Sequence, residues 1–299
     1  MKNKHKSIFK GTCTALITPF IDGKIDYEAL EKIIEFQIEH GVEALLINGT
    51  TGESATLSDK EKRDIIAFSV QRVADRVPLI VGTGSNDTQK AIKLSQFACD
   101  VGADGILVVT PYYNKASING LIEHYTAIAD GINIPMLIYN VPSRTGMNIP
   151  LSIYEILAKH PNILGVKEAS ASMSDFAHLS AKCGENLDLY SGNDDLIIPT
   201  LALGSSGVIS VLSNALPKEM GDVCRLFFEG KIKEALALQL KLIPLIDAIF
   251  SEVNPIPIKA LMSHLGYCKE EYRLPLCAMD FEKKTKMIEI FDKVCQSPT

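Results

Sequence analysis

The 299-residue sequence lacks several features that mark whole classes of protein. Its seven cysteines are scattered and form no C-x-x-C pair, so neither a disulfide framework nor a zinc site is indicated. No apolar run reaches transmembrane length, and no apolar signal-peptide segment follows the basic start of the chain. With 30 Lys and Arg against 36 Asp and Glu, the net charge of −6 provides no case for binding nucleic acid or an acidic membrane. These absences predict a cytoplasmic, metal-free protein.

What the sequence does contain is a regular alternation of short apolar strands and amphipathic helices. Strand and helix patterns alternate eight times, at roughly 25 to 30 residues per unit, which predicts parallel strands joined by helical crossovers. Eight such units favour an α/β chain folded as a closed (β/α)8 TIM barrel over a doubly wound sheet. No G-x-G-x-x-G follows the first strand, which argues against a dinucleotide-binding fold.

The barrel accounts for only about 225 residues of the chain. Residues 1–225 are therefore predicted to form a catalytic barrel, and residues 226–299 a C-terminal helical extension packed on it. The first helix of this extension carries an apolar stripe of Ile232, Ala235, Leu236 and Leu240. Pro244 is expected to kink or end that helix, and Pro255 and Pro257 to mark a turn.

Lys167 directly follows the apolar run 163–166, at the C-terminal end of the sixth predicted strand. Burial disfavours the charged ammonium and lowers the pKa of a lysine, and a neutral amine can attack a carbonyl to form a Schiff base. The alternative is a strand-end lysine whose ammonium extends into water. Lys167 is thus a candidate nucleophile.

The active site of a TIM barrel lies at the C-terminal ends of its strands. Those ends carry hydroxyl and phenol groups that can relay protons, and an arginine that can pair with a carboxylate: Thr50, Thr51, Tyr112, Tyr113, Tyr139 and Arg144. With Lys167 they suit Schiff-base chemistry on an anionic keto acid. Turn formation is the alternative for the threonines, packing at the rim or between subunits for the Tyr112–Tyr113 pair, and a surface ion pair for Arg144.

Four acidic residues near these strand ends are predicted to have structural roles. Glu53 and Glu168 follow the second and sixth strands and are expected to support the site without acting in catalysis. Asp194 and Asp195 are interpreted as a helix N-cap pair in preference to a metal site.

Three stretches together resemble the dihydrodipicolinate synthase family of pyruvate-dependent class I aldolases, a superfamily that includes N-acetylneuraminate lyase. They are residues 49–53 (GTTGE), 139–146 (YNVPSRTG) and 165–169 (GVKEA). The paired threonines and the PSRTG segment point to the synthase. The resemblance implies condensation of pyruvate with L-aspartate 4-semialdehyde to 4-hydroxy-tetrahydrodipicolinate, in diaminopimelate and lysine biosynthesis. It also implies no cofactor beyond the covalent Schiff base, and a homotetramer built as a dimer of dimers.

The resemblance assigns catalytic roles to four residues: Lys167, Tyr139, Thr50 and Tyr113. Lys167 would form the Schiff base and the other three would relay protons, with Tyr113 donated by a neighbouring subunit. Substrate-binding roles fall to Thr51, Arg144, Gly192 and Ile209. In this assignment Thr51 and Thr50 hold the carboxylate of pyruvate, Arg144 holds that of the semialdehyde, and Gly192 and the Ile209 carbonyl line the pyruvate pocket.

The same resemblance locates an allosteric pocket for lysine at the dimer interface, where this chain keeps Ser54, Ala55, Asn86 and Tyr112. The positions that carry two histidines and a glutamate in strongly inhibited members hold Asp59, Lys62 and Lys90 here. Because Lys90 would repel an ammonium, inhibition by lysine is predicted to be weak or absent. Two other functions stay open: cleavage of N-acetylneuraminate or a 2-keto-3-deoxy sugar acid, and a barrel that binds a keto acid without turning it over.

Overall fold

The computed structural model describes residues 7–296, and in this range eight parallel strands close into a barrel. The strands are β1 (Gly11–Ala15), β2 (Ala44–Ile47), β3 (Leu79–Gly82), β4 (Gly105–Val109), β5 (Met136–Asn140), β6 (Ile163–Glu168), β7 (Asp188–Ser191) and β8 (Gly207–Ser210). Each strand pairs with the next along the chain, and β8 pairs with β1, where Val208 lies opposite Thr12. The predicted (β/α)8 barrel is therefore confirmed.

A helix on the outside of the barrel follows each strand. These helices are α1 (Tyr27–Glu39), α2 (Asp59–Val73), α3 (Thr88–Asp100), α4 (Ile118–Asp130), α5 (Leu151–Leu157), α6 (Met173–Cys183), α7 (Ile197–Ala202) and α8 (Pro217–Phe228). Asp26 caps α1 by accepting a hydrogen bond from the Ala29 amide. Ser58 and Glu61 form a capping box at the start of α2, which satisfies two N–H groups there.

Alternation of side chains along the strands divides the apolar core into two layers. Outward-facing residues pack beneath the helices, whereas inward-facing ones fill the barrel, and the inner layer contains Cys13, Ala15, Ala44, Leu46, Ile80, Leu107, Leu137, Tyr139, Tyr190 and Ile209. Lys167 lies opposite Tyr139 in the pairing of β5 with β6, so it belongs to the same inward face. The C-terminal ends of β5 and β6 therefore place Tyr139 and Lys167, respectively, over the interior of the barrel.

Three helices follow the barrel: α9 (Ile232–Ile249), α10 (Ile256–His264) and α11 (Phe281–Gln296). Pro244 does not end α9, because the helix continues to Ile249. Pro255 and Pro257 lie at the start of α10, where the missing proline N–H costs least. The proposed division between residues 225 and 226 lies inside α8, which runs on to Phe228.

The predicted apolar stripe of α9 is wrong in part. Of its four members only Ala235 is buried, and Ile232, Leu236 and Leu240 are exposed. The buried side of α9 instead carries Ala235, Gln239, Leu242, Leu245, Ile246 and Ile249. None of the helices described for this chain combines the length and apolar character needed to cross a membrane.

Candidate active site

The centre of the site is the pair formed by Lys167 and Tyr139 at the C-terminal ends of β6 and β5. The Lys167 Nζ atom lies 4.4 Å from the centroid of the Tyr139 ring. The two residues are only 6% and 8% exposed, so the lysine side chain does not extend into bulk water. A buried amine beside a phenol can attack a carbonyl and exchange protons with a neighbouring hydroxyl.

A cavity of about 200 Å³ opens in front of Lys167. Besides Lys167, its lining contains the predicted site residues Thr50, Thr51, Tyr139, Arg144 and Gly192. Residues from four strand ends therefore meet around one space, as their positions at the ends of parallel strands predict. The lining combines an amine, several hydroxyl groups and a guanidinium, a composition suited to a small anionic carbonyl compound.

Gly192 leaves room for the lysine side chain. A Cβ atom at this position would lie 2.6 Å from the Ala169 Cβ and 3.2 Å from the Lys167 Cε. The Gly192 amide also donates to the Glu168 carbonyl at 2.8 Å, which fixes the chain close to β6. Any larger residue would press on the methylene chain of Lys167 or displace the loop after β7.

The groups suited to binding carboxylates are held by a residue that the sequence analysis did not select. Asn254, just before α10, donates from its Nδ2 to Thr51 Oγ1 at 3.0 Å. Its backbone carbonyl accepts a hydrogen bond from Arg144 Nη2 at 3.2 Å. Arg144 lies in the short helix Pro142–Thr145 that follows β5. Asn254 therefore connects residues that follow two different strands, and it also borders the cavity.

Two predicted residues lie away from this cavity. Tyr113 is 92% exposed and is not part of the cavity lining of its own chain. Ile209 is fully buried in the inner layer opposite Cys13. On that side the cavity is bordered by Val211, two residues further along. The roles assigned to Tyr113 and Ile209 stay predictions.

A second cavity of about 310 Å³ adjoins the first and shares Thr50, Tyr139 and Arg144 with it. Three of the residues predicted for the allosteric pocket line it: Ser54, Ala55 and Tyr112. The fourth, Asn86, is not part of this lining, and its backbone carbonyl accepts a hydrogen bond from Asn114 Nδ2 at 3.0 Å.

Lys62 also lines the second cavity and gives its wall a positive charge. Burial lowers the pKa of Lys62, the negative charge of Asp59 opposes this, and the charge of Lys90 lowers the pKa further. Lys62 therefore interacts electrostatically with both Asp59 and Lys90.

The buried acidic residues near the site have structural partners. Glu53 forms an ion pair with Lys259 in which neither side chain is exposed. Both oxygens of Glu168 accept from Asn140 Nδ2 at 3.0 Å. Burial raises the pKa of Glu168, and these hydrogen bonds oppose that shift. The expected structural roles of Glu53 and Glu168 agree with these contacts.

The interpretation of Asp194 as a helix N-cap is wrong. Its Oδ2 accepts hydrogen bonds from the backbone amides of Val211 and Leu212, at 3.1 and 2.8 Å, which join the loop after β7 to the turn after β8. The short 3₁₀ helix that it begins has no side-chain cap. In the part of the chain that the structure describes, no three His, Cys, Asp or Glu side chains are grouped to hold a metal ion.

A (β/α)8 barrel with a buried lysine beside a tyrosine at its strand ends is the architecture of a lyase of the class I aldolase type. The sequence profile described as the Dihydrodipicolinate synthetase family matches residues 8–294, and the chain belongs to that family. Enzymes of this family act through a Schiff base between a lysine and pyruvate and need no external cofactor.

Individual relatives match over nearly their whole length. The 4-hydroxy-tetrahydrodipicolinate synthase of Alkaliphilus oremlandii is 48% identical over 286 residues, which cover 96% of this chain and 99% of that protein. The crystal structure of dihydrodipicolinate synthase from Aquifex aeolicus superposes with a TM-score of 0.94 at 43% identity, covering 95% of this chain and 98% of that one. A structure described as the first monomeric dihydrodipicolinate synthase variant gives 0.95 at 36% identity, with coverages of 97% and 98%.

Proposed function

We propose that this protein condenses pyruvate with L-aspartate 4-semialdehyde to give 4-hydroxy-tetrahydrodipicolinate in the cytoplasm, an early step of diaminopimelate and lysine biosynthesis. The observation that carries the proposal is the buried amine of Lys167, which shares one cavity with Tyr139, the Thr50–Thr51 pair and Arg144. The names of the relatives support the same reaction. Arg144 favours a short carboxylate substrate over the polyhydroxylated chain of a sugar acid.

The reaction begins when the neutral amine of Lys167 attacks the ketone carbonyl of pyruvate and water leaves, forming a protonated Schiff base. This iminium withdraws electrons, so the pyruvate methyl group loses a proton and an enamine forms. The enamine carbon then attacks the aldehyde, and the amino group of the adduct displaces Lys167 as the ring closes. Tyr139 and Thr50 are proposed to relay the protons together with Tyr113, and such proton transfers contribute ~10² to 10⁴ in rate.

Borohydride reduction in the presence of pyruvate, followed by peptide mass mapping, tests this proposal. A reduced pyruvate adduct on Lys167 is the expected result. An adduct on a different lysine, or none, would overturn the assignment. Turnover of N-acetylneuraminate or a 2-keto-3-deoxy sugar acid, without activity on the semialdehyde, would instead show that the protein is a sugar-acid aldolase of the superfamily.

Replacing Arg144 by alanine is expected to lower kcat/KM for the semialdehyde by about 100-fold, because a charge-assisted hydrogen-bond pair to its carboxylate is lost. The pyruvate concentration needed for half-maximal borohydride trapping is expected to stay unchanged. Arg76→Ala is the matched control, because Arg76 pairs with Glu35 on the outside of the barrel. An equal loss for both substrates would show that Arg144 has a structural role only.

A homotetramer built from two dimers is proposed as the assembly. Exposed apolar side chains surround the C-terminal face of the barrel, among them Tyr112, Tyr113, Ile118, Val253 and Leu274. Because Tyr113 lies outside the cavity of its own chain, its proposed part in the proton relay requires a neighbouring copy. Sedimentation velocity tests the proposal, and a single species with the mass of one chain would contradict it.

Weak or absent inhibition by lysine is also proposed. The second cavity presents the positive charge of Lys62, with Lys90 near enough to lower its pKa, and both charges oppose the ammonium groups of a lysine ligand. We expect the initial rate to change little as lysine is added at saturating semialdehyde. A steep fall of the rate at submillimolar lysine would contradict this expectation.

A further inference from the structure

The turn that follows β2 is fastened to the C-terminal extension at two points. Thr51 and Asn254, 203 positions apart in the sequence, are 3% and 7% exposed and joined by the hydrogen bond from Asn254 Nδ2 to Thr51 Oγ1. Two residues after Thr51, Glu53 forms the buried ion pair with Lys259. Asn254 and Lys259 belong to one short segment, residues 254–259, which has no part in the barrel sheet.

The hydrogen bond from Asn254 determines what the Thr51 hydroxyl can do. A threonine hydroxyl has one proton to donate and lone pairs that accept. Since Nδ2 donates to Oγ1, the Thr51 proton has to point elsewhere, and Thr51 borders the cavity in front of Lys167. The contact therefore leaves the hydroxyl proton available to an anionic ligand in the cavity.

Lys259 holds the same segment in place. Its ammonium is completely buried, binds Glu53, donates to the Glu271 carbonyl at 3.0 Å and lies 4.2 Å from the centroid of the Phe20 ring. Glu53 has a backbone φ of +53°, a conformation that side-chain residues rarely adopt without support from their surroundings. The ion pair thus fixes both the segment that carries Asn254 and the turn that carries Thr51.

We propose that Asn254 is a positioning residue for pyruvate: through its amide group it directs the Thr51 hydroxyl proton toward the substrate carboxylate. The Lys259–Glu53 ion pair holds the turn after β2 and the segment 254–259 against each other. This inference rests on the proposed function. It gives the C-terminal extension a part in substrate binding that packing alone does not provide.

Two variants of Asn254 distinguish a positioning role toward pyruvate from a general structural role. Asn254→Ala removes the donor, and the pyruvate concentration for half-maximal borohydride trapping is expected to rise about tenfold. Asn254→Asp is nearly isosteric but accepts the Thr51 proton and adds a negative charge, so a larger rise is expected. KM for the semialdehyde is expected to stay unchanged in Asn254→Ala, because Arg144 binds the backbone carbonyl of Asn254, which this variant retains.

A double-mutant cycle with Thr51→Val tests whether the effect passes through the hydroxyl. In the Thr51→Val background, Asn254→Ala is expected to change pyruvate trapping less than about twofold, because the acceptor is already absent. Asn162→Ala is the matched control, since the Asn162 amide donates to the Ala129 and Ile132 carbonyls before β6 and should affect stability without affecting pyruvate affinity.

Three results would overturn the positioning role: unchanged pyruvate dependence in Asn254→Ala, equal changes for both substrates, or additive effects in the cycle. Failure of the proposed function has a different signature, because the parent protein would then give no pyruvate adduct on Lys167. If Asn254→Ala fails to fold, Asn254→Asp and Thr51→Val provide the comparison.

Discussion

Replacing Lys167 by arginine is expected to lower kcat/KM for the condensation by at least about 10⁴-fold, since loss of a catalytic nucleophile typically removes that much or more. Arginine retains a positive charge and most of the length of the side chain. Its guanidinium stays protonated and does not form a Schiff base with a ketone. Steady-state kinetics and borohydride trapping with pyruvate measure the effect, and the variant is expected to give no adduct.

Lys182→Arg is the matched control for this variant. Lys182 is exposed in the last turn of α6, away from the cavity, and its replacement is expected to leave kcat/KM unchanged. Circular dichroism of Lys167→Arg verifies that the barrel is folded. If the folded variant kept more than about one hundredth of the parent activity, the reaction would not depend on covalent catalysis by Lys167.

Replacing Lys259 by methionine is expected to lower the free energy of unfolding by about 3–5 kcal/mol, because the change leaves the Glu53 carboxylate buried without its partner. Burial lowers the pKa of Lys259, and the charge of Glu53 opposes this shift. Methionine retains most of the apolar volume of the lysine, so the cavity term is small. Urea denaturation followed by circular dichroism measures the loss.

A second variant tests whether the loss comes from the unpaired charge. Glu53→Gln/Lys259→Met removes both charges, and it is expected to regain at least about 2 kcal/mol relative to Lys259→Met alone. Lys60→Met is the control, since the Lys60–Asp64 pair is solvent-exposed and its loss is expected to be too small to measure. Equal unfolding midpoints for Lys259→Met and the parent would show that the buried pair contributes no net stability.

The barrel and the centre of the site were predictable from the sequence because both depend on local patterns. Short apolar runs alternating with amphipathic helices determine the (β/α)8 fold, and the ends of parallel strands converge wherever the strands close into a barrel. Lys167 and Tyr139 follow directly from this rule, since each lies in or directly after an apolar run. The pattern does not show which residue of β5 lies opposite Lys167, but it does place Tyr139 and Lys167 on neighbouring strands.

Contacts between distant parts of the chain were not predictable in this way. Asn254 and Lys259 contact residues more than 200 positions earlier, and no periodicity of the sequence links them. The hairpin of Phe20–Ile21 with Lys24–Ile25 was also missed, although Asp22 and Gly23 are typical residues of such a turn.

Asp194 and the helix α9 show a second reason for failure. An acidic residue before a helix has the pattern of a cap, yet Asp194 is buried and binds the backbone of the neighbouring β8 turn. The apolar stripe of α9 was read from spacing alone, whereas packing against α8 of the barrel and α11 of the extension buries a different side of the helix. In both cases tertiary contacts outweigh the local preference.

Two contacts between distant parts of the chain affect its folding on the ribosome: the pairing of β1 with β8, and the hydrogen bond from Asn254 to Thr51. Translation delivers the N-terminal part first, at ~5–20 residues per second. The edge of β1 has no β8 partner until residues 207–210 have emerged, and the turn after β2 lacks its anchors until Asn254 and Lys259 have followed. A nascent chain therefore carries Lys167 well before it can hold pyruvate in the geometry described, which is complete only once Lys259 has emerged.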